Sequence, residues 1–132
     1  IYVSRQGLPH RKVANYTEVR EFLADNGFNI IKPEKLKFTE QIKSFSNADI
    51  IMGGFGSGLH NMIYAEDAKI IEFFPPEHTN YLNYALASAL GHEYESIDRT
   101  EEGPGLLTEN EGKLKKNYSY NISVKELKDV VE

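Results

Sequence analysis

The residues best suited to chemistry in this chain form a glycine-rich run, GGFGSG at positions 53–58. A short apolar run leads into it, and an apolar pattern typical of a helix follows it. Because glycine has no Cβ, backbone N–H groups in such a turn can approach an anion closely, and a helix N-terminus adds about half a positive charge. The run therefore predicts a phosphate site at Gly56, Ser57 and Gly58, with a conformation at Gly58 that branched residues disfavour. A tight turn without a ligand is the alternative, since strand-to-helix turns need glycine in any case.

The spacing of these glycines differs from that of two common nucleotide sites. It matches neither the dinucleotide fingerprint G-x-G-x-x-G nor the P-loop G-x-x-x-x-G-K-[ST]. A simple NAD or ATP site is therefore not supported.

The elements that must position this run alternate between strands and helices. Apolar runs predict strands at 1–4, 28–31, 49–52 and 69–74, and a short fifth strand at 94–97. A capping-box-like start at Asn15 and a stop at Gly27 bound the first helix. Apolar residues mark four more helices: Phe38, Ile42 and Phe45; Leu59, Met62 and Ile63; Leu82, Leu86 and Ala89; and Val124, Leu127, Val130 and Val131. The alternation predicts an α/β class with a Rossmann-like, doubly wound and mainly parallel sheet, whose strand carboxyl ends bind ligands.

Length, charge and composition bound the function. We expect one domain over residues 1–132, with a polar and mobile loop at 100–116 after a basic loop at 5–12. The net charge of −5 argues against a nucleic-acid partner, and no apolar run is long enough to span a bilayer. The chain contains no cysteine, so a reducing, cytoplasmic location is expected, with membrane association of a longer protein left open. Because the chain begins inside a strand, we expect it to be part of a larger protein.

The glycine-rich run also carries a family resemblance. Residues 51–61, IMGGFGSGLHN, resemble the loop V-G-P-H-G-A-G-L-T-N of the family 61 glycosyltransferases, the capsular polysaccharide biosynthesis type. The matching positions are Gly53, Gly56, Gly58, Leu59 and Asn61. Other features follow in the same order: residues 1–5 resemble the family's I-Y-I-S-R strand, 41–49 its E-Q-x-x-x-F-x-x-A-D segment, 69–75 its K-V-I-E-L-x-P strand and 91–94 its L-G-x-x-Y ending.

The resemblance implies a GT-B architecture of two facing Rossmann-like domains. This chain resembles the C-terminal domain, which binds the nucleotide-sugar donor, while an N-terminal domain of the same protein binds the glycan acceptor. The implied activity is metal-independent glycosyl transfer with no cofactor, and this part alone is expected to be inactive. No catalytic residue is named, because the general base is expected on the other domain or at the cleft.

Side-chain chemistry, considered beside the resemblance, indicates the candidate binding residues. No D-x-D motif is present to hold a metal, so cationic side chains must neutralise the leaving diphosphate, and Arg5 and Arg11 are the candidates. Glu72 is expected to accept the ribose hydroxyls, as an acidic residue does in dinucleotide folds, unless it is an exposed residue at a strand end. Asn61 is expected to orient the loop or contact the sugar. Tyr81, Tyr84 and Tyr94 either stack on a base or pack in the core.

One departure from the family leaves a second interpretation open. Phe55 stands where the family usually has histidine, which would be a natural donor to the diphosphate. His60 occupies the family's threonine position and is not a substitute. The alternative to an enzyme is therefore a nucleotide-sugar-binding module that has lost transfer activity. A third possibility, a Rossmann domain for an adenosylmethionine-type cofactor, is disfavoured by Arg5 and Arg11.

Overall fold

The structure is a computed structural model that describes residues 1–5, 12–76, 79–98, 100–102 and 119–131. In chain order its strands are β1 (Tyr2–Val3), β2 (Lys12–Val13), β3 (Ile30–Ile31), β4 (Ile50–Gly54), β5 (Lys69–Phe73), β6 (Glu93–Ile97), β7 (Glu101–Glu102) and β8 (Ser119–Asn121). The α-helices are α1 (Tyr16–Asp25), α2 (Phe38–Ser46), α3 (Leu82–Leu90) and α4 (Val124–Val131), and 3₁₀-helices span Pro33–Lys35 and Ser57–Tyr64. Arg11 and most of the loop predicted at 100–116 lie outside the described residues.

The main sheet has five strands in the order β3-β1-β4-β5-β6, and every neighbouring pair is parallel. The chain passes from β1 outward to β3 and then returns across β1 to β4, so the direction of winding reverses between β1 and β4. If the five strands of this sheet are numbered 1 to 5 in chain order, their spatial order is 2-1-3-4-5, which is a common doubly wound order. The prediction of an α/β protein with a parallel sheet is therefore confirmed, and the topology is compatible with a Rossmann-like fold.

Helices cover both faces of the sheet. On one face, Val19 and Leu23 of α1 and Leu127 of α4 pack against Met52 and Ile71. On the other face, Phe45 of α2 and Leu59 and Met62 of the longer 3₁₀-helix pack against Ile51 and Ile70. Alternate residues of β4 and β5 thus enter opposite cores, which is why these strands are apolar along nearly their whole length.

The third helix differs from its sequence prediction. Residues Ser57–Tyr64 form a 3₁₀-helix, in which side chains three residues apart share a face. Leu59 and Met62 are accordingly fully buried, whereas Ile63 is 51 % exposed. The expectation that Ile63 would join them was wrong because it assumed the α-helical period.

The fourth helix also turns a different face inward. Leu82 and Ala89 are exposed, and the buried residues of α3 are Asn83 and Ala87. Gly91 adopts the left-handed conformation that closes this helix. A polar side chain therefore occupies the core side of an otherwise apolar helix, and its partner lies in β5.

A second, smaller sheet holds the C-terminal segment against the N-terminal part of the chain. Strand β8 lies between β2, to which it is parallel, and β7, to which it is antiparallel. Lys12 had been expected in a loop and lies in β2. Asn15 does not cap α1 with its side chain: Nδ2 donates to Ile122 O at 2.6 Å, and Ile122 N donates to Asn15 Oδ1 at 2.9 Å. The side-chain amide of Asn15 thus both donates to and accepts from the backbone of Ile122, as the backbone of a neighbouring strand would.

Candidate functional site

The glycine-rich run connects the end of β4 to the longer 3₁₀-helix. Gly56 precedes the first helical residue, with φ 133° and ψ −173°, a region open essentially to glycine alone. Ser57 is exposed at the start of the helix. Gly58 has no positive φ, and a Cβ placed on it would meet Val3 Cγ1 at 3.5 Å, an ordinary contact. The special conformation predicted for Gly58 therefore belongs to Gly56.

Arg5 lies beside this run because β1 and β4 are neighbours. A Cβ on Gly54 would lie 4.0 Å from Arg5 Cδ, and a Cβ on Gly53 would lie 3.2 Å from Val3 Cβ. The two glycines thus let the strands come together at their carboxyl ends, and Cδ of the Arg5 side chain lies beside Gly54 at that edge. The structure places Arg5 and the loop at the point where the winding reverses, where doubly wound sheets form a ligand crevice.

Asn61 faces α2 rather than local backbone. Its Nδ2 donates to Gln41 Oε1 at 3.3 Å, and Gln41 Nε2 in turn donates to Pro33 O at 2.8 Å. These bonds hold the 3₁₀-helix against the second helix of the same face. Asn61 is therefore placed to orient the glycine-rich run from the side that faces α2.

Glu72 is buried, with 1 % of its surface exposed, so the alternative of an exposed strand-end carboxylate was wrong. Asn83 Nδ2 donates to Oε2 at 2.5 Å, and Tyr94 Oη donates to Oε1 at 2.5 Å. Asn83 Nδ2 also lies 3.1 Å from Gly56 O, to which it donates. A chain of hydrogen bonds thus runs from Tyr94 through Glu72 and Asn83 to the glycine-rich run.

The buried carboxyl titrates abnormally. Burial raises the pKa of Glu72 above its ordinary value, while the bonds from Asn83 and Tyr94 and the proximity of His60 act in the opposite direction. Burial, the bond to Glu72 and the nearby charges of Glu72 and Asp98 raise the pKa of Tyr94. The phenol therefore remains a donor to the carboxyl group at all ordinary pH values.

Sequence reasoning did not identify Asn83 as part of this arrangement. The available signal was its position within LNYALASAL, where it is one of the few polar residues on a mostly apolar helix. Of the two alternatives for the tyrosines, packing in the core is wrong for Tyr81 and Tyr84, which are 79 % and 51 % exposed, whereas Tyr94 is partly buried.

Phe55 contributes its side chain to the core. It is 7 % exposed, its ring is stacked on Phe74 at a centroid distance of 5.9 Å, and its backbone N–H donates to Phe73 O at 2.9 Å. An apolar ring held in this way offers no donor to an anion at the glycine-rich run.

The family model for glycosyltransferase 61 matches residues 1–71. The chain belongs to glycosyltransferase family 61. The matched part of this family 61 chain contains Arg5, the glycine-rich run and Asn61, and it ends one residue before Glu72. No curated protein matches the chain.

Two further observations concern the described residues of this family 61 chain. Within the described ranges, no group of three or more His, Asp or Glu side chains is arranged to hold a metal ion. No helix in the same ranges is both long and apolar enough to cross a membrane.

Proposed function

We propose that this chain binds the diphosphate of a nucleotide sugar at the carboxyl ends of β1 and β4 and supports transfer of the sugar to a glycan acceptor. The observation that carries the proposal is the position of Arg5 beside the glycine-rich run. Backbone N–H groups after Gly56 and the Ser57 hydroxyl supply donors, and Arg5 supplies the positive charge. Membership of a glycosyltransferase family supports the assignment to sugar transfer.

The chemistry requires charge neutralisation at the leaving group. As the glycosidic bond to the diphosphate breaks, negative charge accumulates on the phosphate oxygens, and preorganised donors lower the barrier by stabilising it. In this proposal Arg5, with Arg11 from the following loop, performs this role without a metal ion. A guanidinium suits it because two parallel N–H groups can bind one phosphate.

The proposal includes a second Rossmann-like domain in the same protein, in a GT-B arrangement. That domain binds the acceptor, which we propose to be a growing polysaccharide of the capsular type, and contributes the general base. Asn61 completes the donor side as the support of the loop, and Glu72, buried and bonded through both carboxyl oxygens, supports Gly56 through Asn83. The proposed location is the cytoplasm, in keeping with a chain that lacks cysteine.

Titration calorimetry with UDP and GDP tests the site. Arg5→Ala should weaken binding by about 1.5–3 kcal/mol, because a charged hydrogen bond to phosphate is lost. Arg5→Lys should recover only part of that loss, since the two-pronged geometry is absent. Arg20→Ala, which removes an exposed arginine from α1, is the matched control and should bind as the wild type does. Equal affinities of Arg5→Ala and Arg20→Ala would rule out the phosphate site.

A nucleotide-sugar-binding module without transfer activity is the second candidate. The observation in its favour is Phe55, which packs on Phe74 and presents no donor where family members usually have histidine. Sugar transfer by the intact two-domain protein, measured with and without Phe55→His, separates the two candidates. A transferase should turn over without the substitution, whereas a binding module should bind nucleotide and remain inactive in both forms.

A further inference from the structure

A cavity of about 540 Å³ opens at the carboxyl ends of β5 and β6, beside the start of α3. We call it the tyrosine pocket, and its main lining residues are Phe74, Tyr81, Tyr84, Tyr94, Ser96 and Asp98. Its volume falls within the range of small-ligand sites. All six residues follow residue 71, so the pocket lies outside the segment matched by the family model.

Two of the four aromatic residues that line the pocket are largely accessible. Tyr81 is 79 % exposed and Tyr84 is 51 % exposed, and both precede or begin the same helix. Tyrosine offers an apolar ring face together with a polar hydroxyl, a combination enriched where proteins bind partners. Much of the surface of each of these two side chains is therefore open to contact with a ligand.

The orientation of the rings argues against a planar ligand. The rings of Tyr84 and Tyr94 lie 5.3 Å apart at an interplanar angle of 77°. Two perpendicular rings leave no parallel-sided slot in which a nucleobase could be sandwiched. A ligand with one apolar face and a polar rim fits this corner better.

The charge of the pocket restricts the class of ligand further. Asp98 is exposed, and Thr79, Asn80 and Ser96 add uncharged polar groups. Among the described residues that line the pocket there is no Lys, Arg or His. A carboxylate without a lining cation accepts hydrogen bonds from hydroxyl groups and repels phosphates and carboxylates.

The pocket is joined to the glycine-rich run in two ways. Tyr94, which lines it, donates to Glu72, and Glu72 is linked through Asn83 to Gly56. Phe74, which also lines it, stacks on Phe55. Strands β4, β5 and β6 are consecutive neighbours, so the pocket lies about 10 Å along the sheet edge from the run.

We propose that the tyrosine pocket is a subsite for one uncharged pyranose ring, with a ring face against the exposed tyrosines and hydroxyl groups bonded to Asp98. The choice of a sugar over other hydroxyl-rich ligands rests on the proposed function. The ring belongs either to the donor nucleotide sugar or to the glycan acceptor, and the two sources present the same chemistry to the pocket.

Saturation-transfer NMR and calorimetry with defined probes test this subsite. Methyl hexopyranosides should bind the wild type, and Tyr81→Ala should weaken them about tenfold by removing an aromatic contact. Phe38→Ala is the matched control, since Phe38 is 63 % exposed on a different helix. A methyl hexuronoside should bind more weakly than the neutral glycoside, and Asp98→Asn should narrow that difference, whereas Asp129→Asn should not.

UDP and UDP-hexose identify the source of the ring. If Tyr81→Ala weakens UDP-hexose and leaves UDP unchanged, the ring belongs to the donor. If it weakens free glycosides but neither nucleotide, the ring belongs to the acceptor, and both results support the subsite. Unchanged glycoside and UDP-hexose binding in Tyr81→Ala and Asp98→Asn would overturn it, as would a loss of affinity for UDP itself. Glycoside binding that depends on Tyr81 in a protein that binds no nucleotide would support the subsite and refute the proposed donor site.

Discussion

Asn83 donates through Nδ2 to Glu72 Oε2 at 2.5 Å, and the same nitrogen lies 3.1 Å from the carbonyl oxygen of Gly56. One side-chain amide thus joins a buried carboxyl of β5 to the backbone of the glycine-rich run. Because the run has few side chains of its own, its position depends on bonds of this kind to its backbone.

Removing this amide should loosen both partners. We expect Asn83→Ala to lower the free energy of unfolding by about 1–3 kcal/mol, because buried groups lose their hydrogen bonds. Asn83→Asp should cost more near neutral pH, since it sets a second carboxyl group against Glu72. Urea unfolding measures both, with the exposed Asn29→Ala as control. A loss in Asn83→Ala no larger than in Asn29→Ala would show that the bonds contribute nothing.

The raised pKa of Glu72 predicts a pH-dependent stability. Below its ordinary value of 4.5 the carboxyl is protonated in the folded and the unfolded chain, and its contribution to folding is greatest. As the pH rises from 4.5 through the raised folded-state pKa, the unfolded chain ionises first and this contribution is lost. Glu72→Gln does not titrate, so the stability of the wild type relative to this variant should fall between about pH 4 and about pH 8.

Urea unfolding of the wild type and Glu72→Gln at both pH values tests this directly. The matched control is Glu66→Gln, which makes the same substitution at an exposed position. If the wild type instead became more stable relative to Glu72→Gln as the pH rose, the hydrogen bonds to the carboxylate would outweigh the cost of its burial.

How well the sequence predicts each structural feature depends on how far apart in the chain the interacting residues lie. The strands β4 and β5 follow from apolar runs, and the position of Arg5 beside the glycine-rich run follows from strand order, which alternation and handedness restrict strongly. The partner of Glu72 does not follow, because it requires the rotation of α3 about its axis. The 3₁₀ period of Ser57–Tyr64 and the pairing of Asn15 with Ile122 escaped prediction for a similar reason, since tertiary packing overrides local patterns.

The conformations of the glycines predict unequal tolerance to substitution. Gly56 has φ 133°, where any other residue is strained, so Gly56→Ala should cost about 1–3 kcal/mol of unfolding free energy. Gly58 lacks this constraint, and Gly58→Ala should fall within about 1 kcal/mol of the wild type because its Cβ makes an ordinary contact. Thermal unfolding compares the two, and equal losses would mean that close packing rather than φ constrains the run.

Gly54 and Tyr120 provide the last prediction, because they join the glycine-rich run to the smaller sheet. A Cβ on Gly54 would lie 3.1 Å from Tyr120 Oη, and Tyr120 is fully buried in β8. Gly54→Ala should therefore cost about 1–3 kcal/mol through overpacking. Tyr120→Phe removes the oxygen that the new methyl group would meet. The loss of unfolding free energy in the double variant should therefore be about 1 kcal/mol smaller than the sum of the two single losses.

The matched cycle combines Gly58→Ala with Tyr120→Phe. The Cβ on Gly58 would meet Val3 and not Tyr120, so these two losses should add to within about 0.5 kcal/mol. Urea unfolding of the two single-glycine variants, Tyr120→Phe and both double variants measures the two coupling energies. Additivity in both cycles would mean that Gly54 accepts a methyl group without displacing the tyrosine. Coupling in the Gly54 cycle alone would show that the Tyr120 hydroxyl of β8 limits the space beside Gly54 in the glycine-rich run.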